Sequence, residues 1–208
     1  MALSGMVFPE KEIPTSKLKA NILCKAHNER LSPLDSAMKT LTENLRAHVQ
    51  RVAKGPPRGT LLLLNGDDIE CALLKMLCGL AASGAVKGLP KDTDPRWMPI
   101  LYGEEPWPEG WGLYVQQASG GIQDANFDGM SFGFNLAEGR RAHQLGVRFG
   151  PWHLVLHVAA DDVDAPSPAG FAFRPDLLVA QRGTSASAIH LTYSRTSSGG
   201  FVRTTIHS

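Results

Sequence analysis

Trp152-His153-Leu154-Val155-Leu156-His157-Val158 decides how the second half of this chain folds. In an extended strand, Trp152, Leu154, Leu156 and Val158 point one way and His153, Val155 and His157 the other, because successive side chains alternate. That pattern predicts a strand of an antiparallel sheet, with the tryptophan side in the core and both histidines exposed. A register slip of one residue would invert every one of these assignments. Working outward, residues 111–117, 130–136, 143–149, 188–194 and 201–206 are also alternating or rich in β-branched and aromatic types. Gly120-Gly121, Gly150-Pro151 and Gly199-Gly200 punctuate them, so residues 111–206 read as a mainly antiparallel sheet.

The first half has a different period. Ser32-Pro33-Leu34-Asp35 predicts a helix start: Ser32 can cap, Pro33 suits the first helical position, and Asp35 complements the positive helix end. Leu34, Met38, Leu41, Leu45, Val49 and Val52 then recur at steps of three and four, giving an amphipathic helix over 33–53. Lys54-Gly55-Pro56-Pro57-Arg58-Gly59 ends it. After a short apolar run at 60–64, Asn65-Gly66 turns the chain, and Asp67 or Asp68 caps a second helix over 69–82. That helix is apolar on nearly all sides, which predicts burial against the first. Cys71 and Cys78, seven apart on it, read as small core residues. Residues 85–110 hold Pro90, Pro95, Pro99, Pro106 and Pro108 among Trp97 and Trp107, with Trp111 just beyond. They read as an irregular connection whose tryptophans pack on the second half. The expectation is therefore an α+β protein, a helical N-terminal half packed with a C-terminal antiparallel β-sheet, organised as 1–84, 85–110 and 111–208.

Composition excludes several classes. The 208 residues are 43% hydrophobic, enough for a real core. With 21 Lys and Arg against 20 Asp and Glu, the chain as a whole does not attract polyanions. Its first forty residues are locally basic, and Lys11, Lys17, Lys19, Lys25 and Arg30 are candidates for contact with a protein or nucleic-acid partner. A solvated basic face is the plainer reading of the same residues. Three cysteines do not make a disulfide framework. No apolar run reaches the ~18–20 residues of a membrane span. These features predict a cytoplasmic protein without membrane contact.

Cys24 and His27 are separated by two residues, a spacing at which a thiolate and an imidazole can share a metal ion. Zinc is the ion such a pair could take. Tetrahedral zinc needs four ligands at ~2.0–2.3 Å, and no second pair has suitable spacing, so no complete site and no cofactor are expected. His153 and His157, four apart on a strand, lie ~13 Å from one another and cannot share a metal. His190 would meet one of them if its strand paired alongside. Asp161-Asp162-Val163-Asp164 lacks the spacing of a calcium loop. There is no Gly-x-Ser-x-Gly elbow, P-loop, dinucleotide fingerprint or Cys-x-x-Cys pair.

Leu23-Cys24-Lys25-Ala26-His27-Asn28 resembles the run that opens the final helix in one variant of the HNH endonucleases, and the resemblance extends over residues 9–54 and, more weakly, over the helix at 65–84. In that family a Cys-x-x-Cys pair lies upstream, and an acidic-His-x-Ile-Pro segment supplies the general base. Here that segment reads Pro9-Glu10-Lys11-Glu12-Ile13-Pro14, with Lys11 where the family has its histidine. A lysine is ordinarily protonated at pH 7 and cannot take a proton from water. The resemblance thus implies a degenerate member that kept the scaffold and lost the chemistry, or a chain whose upstream zinc-binding half is missing. Two functions follow as expectations. One is a non-catalytic binding protein, an inhibitor or adaptor acting on a protein or nucleic acid, as in phage–host conflict. The other is a metal-dependent HNH-type nuclease using His27, Asn28 and a remote histidine.

Overall fold

A computed structural model of the chain describes residues 25–54, 61–84, 94–116, 130–136, 142–149, 152–158, 170–195 and 199–205, with single positions at 89, 91 and 166. In chain order they form α1 (Lys25–Lys54), β1 (Leu61–Asn65), α2 (Gly66–Ser83), α3 (Trp97–Leu101), β2 (Gly112–Gln116), β3 (Met130–Leu136), β4 (Ala142–Phe149), β5 (Trp152–His157), β6 (Phe171–Phe173), β7 (Leu177–Arg182), β8 (Ser185–Thr192) and β9 (Phe201–Thr205). This is an α+β architecture with N-terminal helices packed on sheets. No described helix is long and apolar enough to cross a membrane.

The strands make two sheets rather than one. The first is antiparallel throughout, in the order β3-β4-β5-β2-β6. The second runs β1-β8-β7-β9 and is mixed: β7 and β8 form an antiparallel hairpin, while β1 joins β8 and β9 joins β7 in parallel. The mainly antiparallel pairing is as expected, but the expected single sheet is corrected to two, the second of them joined by two parallel pairings. The apolar run after the first helix becomes a strand of the C-terminal half's second sheet. Leu61 pairs with Ala188 and Asn65 with Thr192, a partnership that no local pattern announces.

One hydrophobic core joins helices and sheets. Leu41 and Leu45 of α1 are fully enclosed, with Leu34 and Met38 half-buried beside them, against Leu73, Leu74 and Leu77 of α2. In the five-stranded sheet, Leu113, Leu156, Leu145 and Phe134 form one buried row across β2, β5, β4 and β3. In the four-stranded sheet, Leu62, Ile189, Leu178 and Val202 form the row that faces the helices. Trp97, Trp111 and Trp152 are all buried in this core, and Trp107 packs against it. The connection at 85–110 is less irregular than its prolines suggest, because Trp97–Leu101 forms the short helix α3.

Three local expectations are corrected. The first helix begins at Lys25 and not at Pro33, which lies in its interior. Proline cannot donate a backbone hydrogen bond to the carbonyl four residues earlier, that of Glu29. Ser32 Oγ donates to that same carbonyl at 2.9 Å, so the helix continues. The second helix is capped by Asn65, whose side-chain oxygen accepts from the amides of Asp67 (2.9 Å) and Asp68 (3.4 Å), and not by either aspartate. Finally, His153 and His157 are buried, not exposed. β5 is the middle strand of its sheet, and a second cluster of Tyr114, Val155 and Phe171 covers the side opposite the main core. Each imidazole there has a polar partner: His153 Nδ1 lies 2.7 Å from Gln116 Oε1, and Gln144 Nε2 lies 3.1 Å from His157 Nδ1. His190 belongs to the other sheet, so it does not join them.

Candidate functional site

Glu70 lies on α2 among leucines and is 0% exposed. A buried carboxylate requires donors, and the fold supplies them from three directions. The Leu113 amide donates to Oε1 at 2.7 Å, and Arg174 Nε donates to the same oxygen at 2.7 Å. Arg174 Nη2 and Arg195 Nη2 both donate to Oε2. Arg174, itself buried, also donates to the Trp111 carbonyl at 2.9 Å. One carboxylate thereby joins α2, the start of β2, the turn after β6 and the segment that follows β8.

The backbone is shaped to this cluster. Arg174 adopts φ 42°, a left-handed conformation uncommon for a residue with a Cβ. Gly112 sits at φ 143°, and a Cβ there would lie 2.5 Å from Glu70 Oε1 and 2.8 Å from Arg174 Nη2. Only a glycine lets the β2 backbone approach the ion pair this closely.

Asp67, one turn before Glu70, extends the network to the surface. Its carboxylate accepts from the Ser194 amide (2.7 Å) and from Arg195 Nη2 (2.9 Å). Burial pushes the Asp67 carboxyl up, but the hydrogen bonds from Ser194 and Arg195 outweigh it and hold the group below the ordinary carboxylate range. The Arg195 guanidinium stacks over Trp107 at 5.0 Å.

Arg195, Asp67 and Trp107 form one wall of a cleft of about 380 Å³, and Arg30, Leu34 and Tyr102 form another. Arg30 donates to the Tyr102 carbonyl at 3.0 Å, and its guanidinium lies 4.8 Å from the center of that ring. His27 meets the same ring at 5.5 Å. Two residues singled out in the sequence, His27 and Arg30, thus meet the same Tyr102 ring from the exposed first turns of α1, and Arg30 lines the cleft. Lys25 is exposed on the same helix and pairs with Glu29 at 3.8 Å. Cys24, Lys11, Lys17, Lys19 and the acidic turn at 161–164 lie outside the described residues. Among the described residues, no three His, Cys, Asp or Glu side chains are grouped to hold a metal ion. Cys71 at the cleft and Cys78 in the core have thiols pushed up to about 11 and about 12. Burial is the main cause in both, with the Glu70 charge adding to it for Cys71.

The other feature without an evident internal purpose is the outer face of the four-stranded sheet. Register places Leu63, His190, Leu177 and Phe201 in one row across β1, β8, β7 and β9, and Leu61, Ala188, Val179 and Arg203 in the next. Leu61 is 71% exposed, Leu63 63% and Phe201 56%. Leu177, Val179 and Ala188 between them are half-buried by their neighbours in the sheet. α1 covers the inner face, but no described element lies over this one.

Comparison with known proteins gives no assignment, as no protein-family model, curated protein or solved structure matches the chain. Sequence reasoning missed Glu70, Arg174 and Arg195. Glu70 did leave a signal, a carboxylate in a helix apolar on nearly all sides, which has to be paired. The two arginines carry no such mark.

Proposed function

We propose that this chain is a non-catalytic binding protein carrying a degenerate HNH-like motif, and that it works by docking a partner protein on the outer face of its four-stranded sheet. The observation that carries the reading is the contiguous display of Leu61, Leu63 and Phe201 on a sheet face that no described element covers. Leaving a leucine or phenylalanine in water forfeits about 1.5–3 kcal/mol each, and contiguous apolar patches on soluble proteins commonly mark interaction sites. A nucleic-acid partner is less favoured at this face, where the ionisable side chains among the described residues of the four strands are His190 and Arg203. Lys11, in the position of the family's general base, supports the non-catalytic half of the proposal.

Two measurements test it. Purified protein incubated with plasmid and Mg, Mn or Zn is expected to leave the DNA intact, and metal-dependent cleavage would establish the nuclease reading instead. Carbene footprinting of the purified chain is expected to label Leu61, Leu63 and Phe201 heavily. Strong protection of all three in the monomer would mean that the chain covers its own face, and the docking role would fall.

A further inference from the structure

Resting on that reading, we propose that the occupant of the open sheet face is an acidic amphipathic helix of a partner protein, about three turns long. The size of the face comes first. Four strands at ~4.8 Å and five residues at ~3.3 Å give a platform of roughly 19 by 17 Å. A helix is about 10–12 Å across and rises about 1.5 Å per residue, so eleven or twelve residues would span it. A stable dimer buries about 800 Å² on each partner, about two and a half times what this platform offers, so a second copy of the chain is the poorer fit.

Pattern and charge come next. The apolar side chains form two rows about 7 Å apart, with Leu61 and Leu63 at one border and Phe201 at the other. A helix lying between these borders would meet them with residues at i, i+3, i+4 and i+7, the stripe of an amphipathic helix. Among the described strand residues of this face the ionisable side chains are His190 and Arg203, with no Asp or Glu; the nearest acidic group, Asp68 of α2, shares a pocket with Leu63 at the β1 border, opposite Arg203. Arg203 lies on the edge strand β9, with its guanidinium 5.4 Å from the center of the Phe201 ring. It is exposed, and it stands at the border where the polar flank of a docked helix would fall. A glutamate or aspartate on that flank would complement it, and a lysine would be repelled. The inner face of the same sheet already carries helix α1, so a docked helix would complete a second layer of the same kind.

The test uses the full chain and three synthetic peptides of twelve residues. One has leucines at helical spacing with glutamates on the flanks, one has lysines in place of the glutamates, and one is a scramble of the acidic peptide. Fluorescence anisotropy is expected to rank the acidic amphipathic peptide first by about tenfold or more over the lysine version, the factor that one charge-assisted hydrogen bond can supply. Arg203→Glu should reverse that order. A Leu63→Asp, Phe201→Asp double variant should weaken binding at least about tenfold. Because both side chains are exposed, its circular dichroism and melting point should stay near those of the parent. Equal binding of all three peptides, or no effect of Arg203→Glu, would overturn the acidic-helix proposal. So would sedimentation showing a dimer that the double variant dissolves; that outcome would leave the docking face standing with a second copy as its occupant.

Discussion

Glu70 sets the energetics of this molecule at the level of single residues. A buried ion pair contributes little net stability over an apolar replacement, but removing one member leaves an uncompensated charge. Glu70→Gln keeps the shape and removes the charge that Arg174 and Arg195 share. It should destabilise the protein by about 3–5 kcal/mol, a fall in melting temperature on the order of 10 °C. A calorimetric scan within a degree of the parent would show that the arginines find other partners. Gly112→Ala should cost about 2 kcal/mol or more, since its methyl meets Glu70 Oε1 and its backbone needs positive φ. Acid sensitivity is a third expectation. Burial brings His153, His157 and His48 down to about 4, helped by Arg148, His143 and Arg51 respectively. For His48, a hydrogen bond at Ser187 partly opposes the shift. Its Nε2 accepts from the Ala180 amide at 3.3 Å, which requires that nitrogen unprotonated. All three folded pKa values lie below the unfolded value, so the unfolded chain binds more protons between pH ~6.5 and ~4. The stability they contribute is complete above pH ~6.5 and is lost as pH falls through that window, by at most about 3 kcal/mol per histidine. Urea midpoints measured from pH 7 to 4 should decline steadily, and a flat profile would refute this account. None of these roles was readable from the histidines themselves. Alternation correctly separated the two sides of β5, but it cannot say whether a second layer lies over the polar-looking side.

At the level of elements, α1 shows how one signal can have two meanings. Ser32-Pro33 is a good helix start and, equally, a proline that its neighbour repairs from within. Local sequence does not distinguish the two, because the carbonyl that Ser32 satisfies lies on Glu29, before the point where a start would be read. Ser32→Ala should therefore lower stability by about 1 kcal/mol, the net value of one hydrogen bond. Pro33→Ala should raise it, by up to about 3 kcal/mol, since proline is that much worse than alanine inside a helix. Thermal melts of the two variants should move in opposite directions; if both fall, Pro33 has a packing role in the cleft that it lines. Elements with a clear period were legible: the leucine stripe of α1, the apolar α2, and β3, β4, β5 and β9 within one or two residues. β6 has three residues and β7 reads Leu-Leu-Val-Ala-Gln-Arg, too short or too even to show alternation.

For the whole molecule, the core is continuous from α1 to β9, so unfolding should be cooperative. Tryptophan fluorescence, which reports Trp97, Trp111 and Trp152 in that core, and far-ultraviolet circular dichroism, dominated by α1 and α2, should give the same urea midpoint. Two separated transitions would mean that helices and sheets fold as independent units. The α+β class was legible from the change of period along the chain. The split into two sheets was not, because it depends on two parallel pairings between distant strands. One of these pairings governs how the chain is made. The Thr192 hydroxyl bonds the Leu64 carbonyl across 128 positions of sequence. At about 5–20 residues per second, a ribosome finishes β1 roughly 6 to 26 seconds before β8 exists. Throughout that interval Leu61-Leu62-Leu63-Leu64 have no strand to pair with. The nascent chain is therefore a natural client for chaperones that hold apolar segments, and fast expression at high temperature should drive it into inclusion bodies.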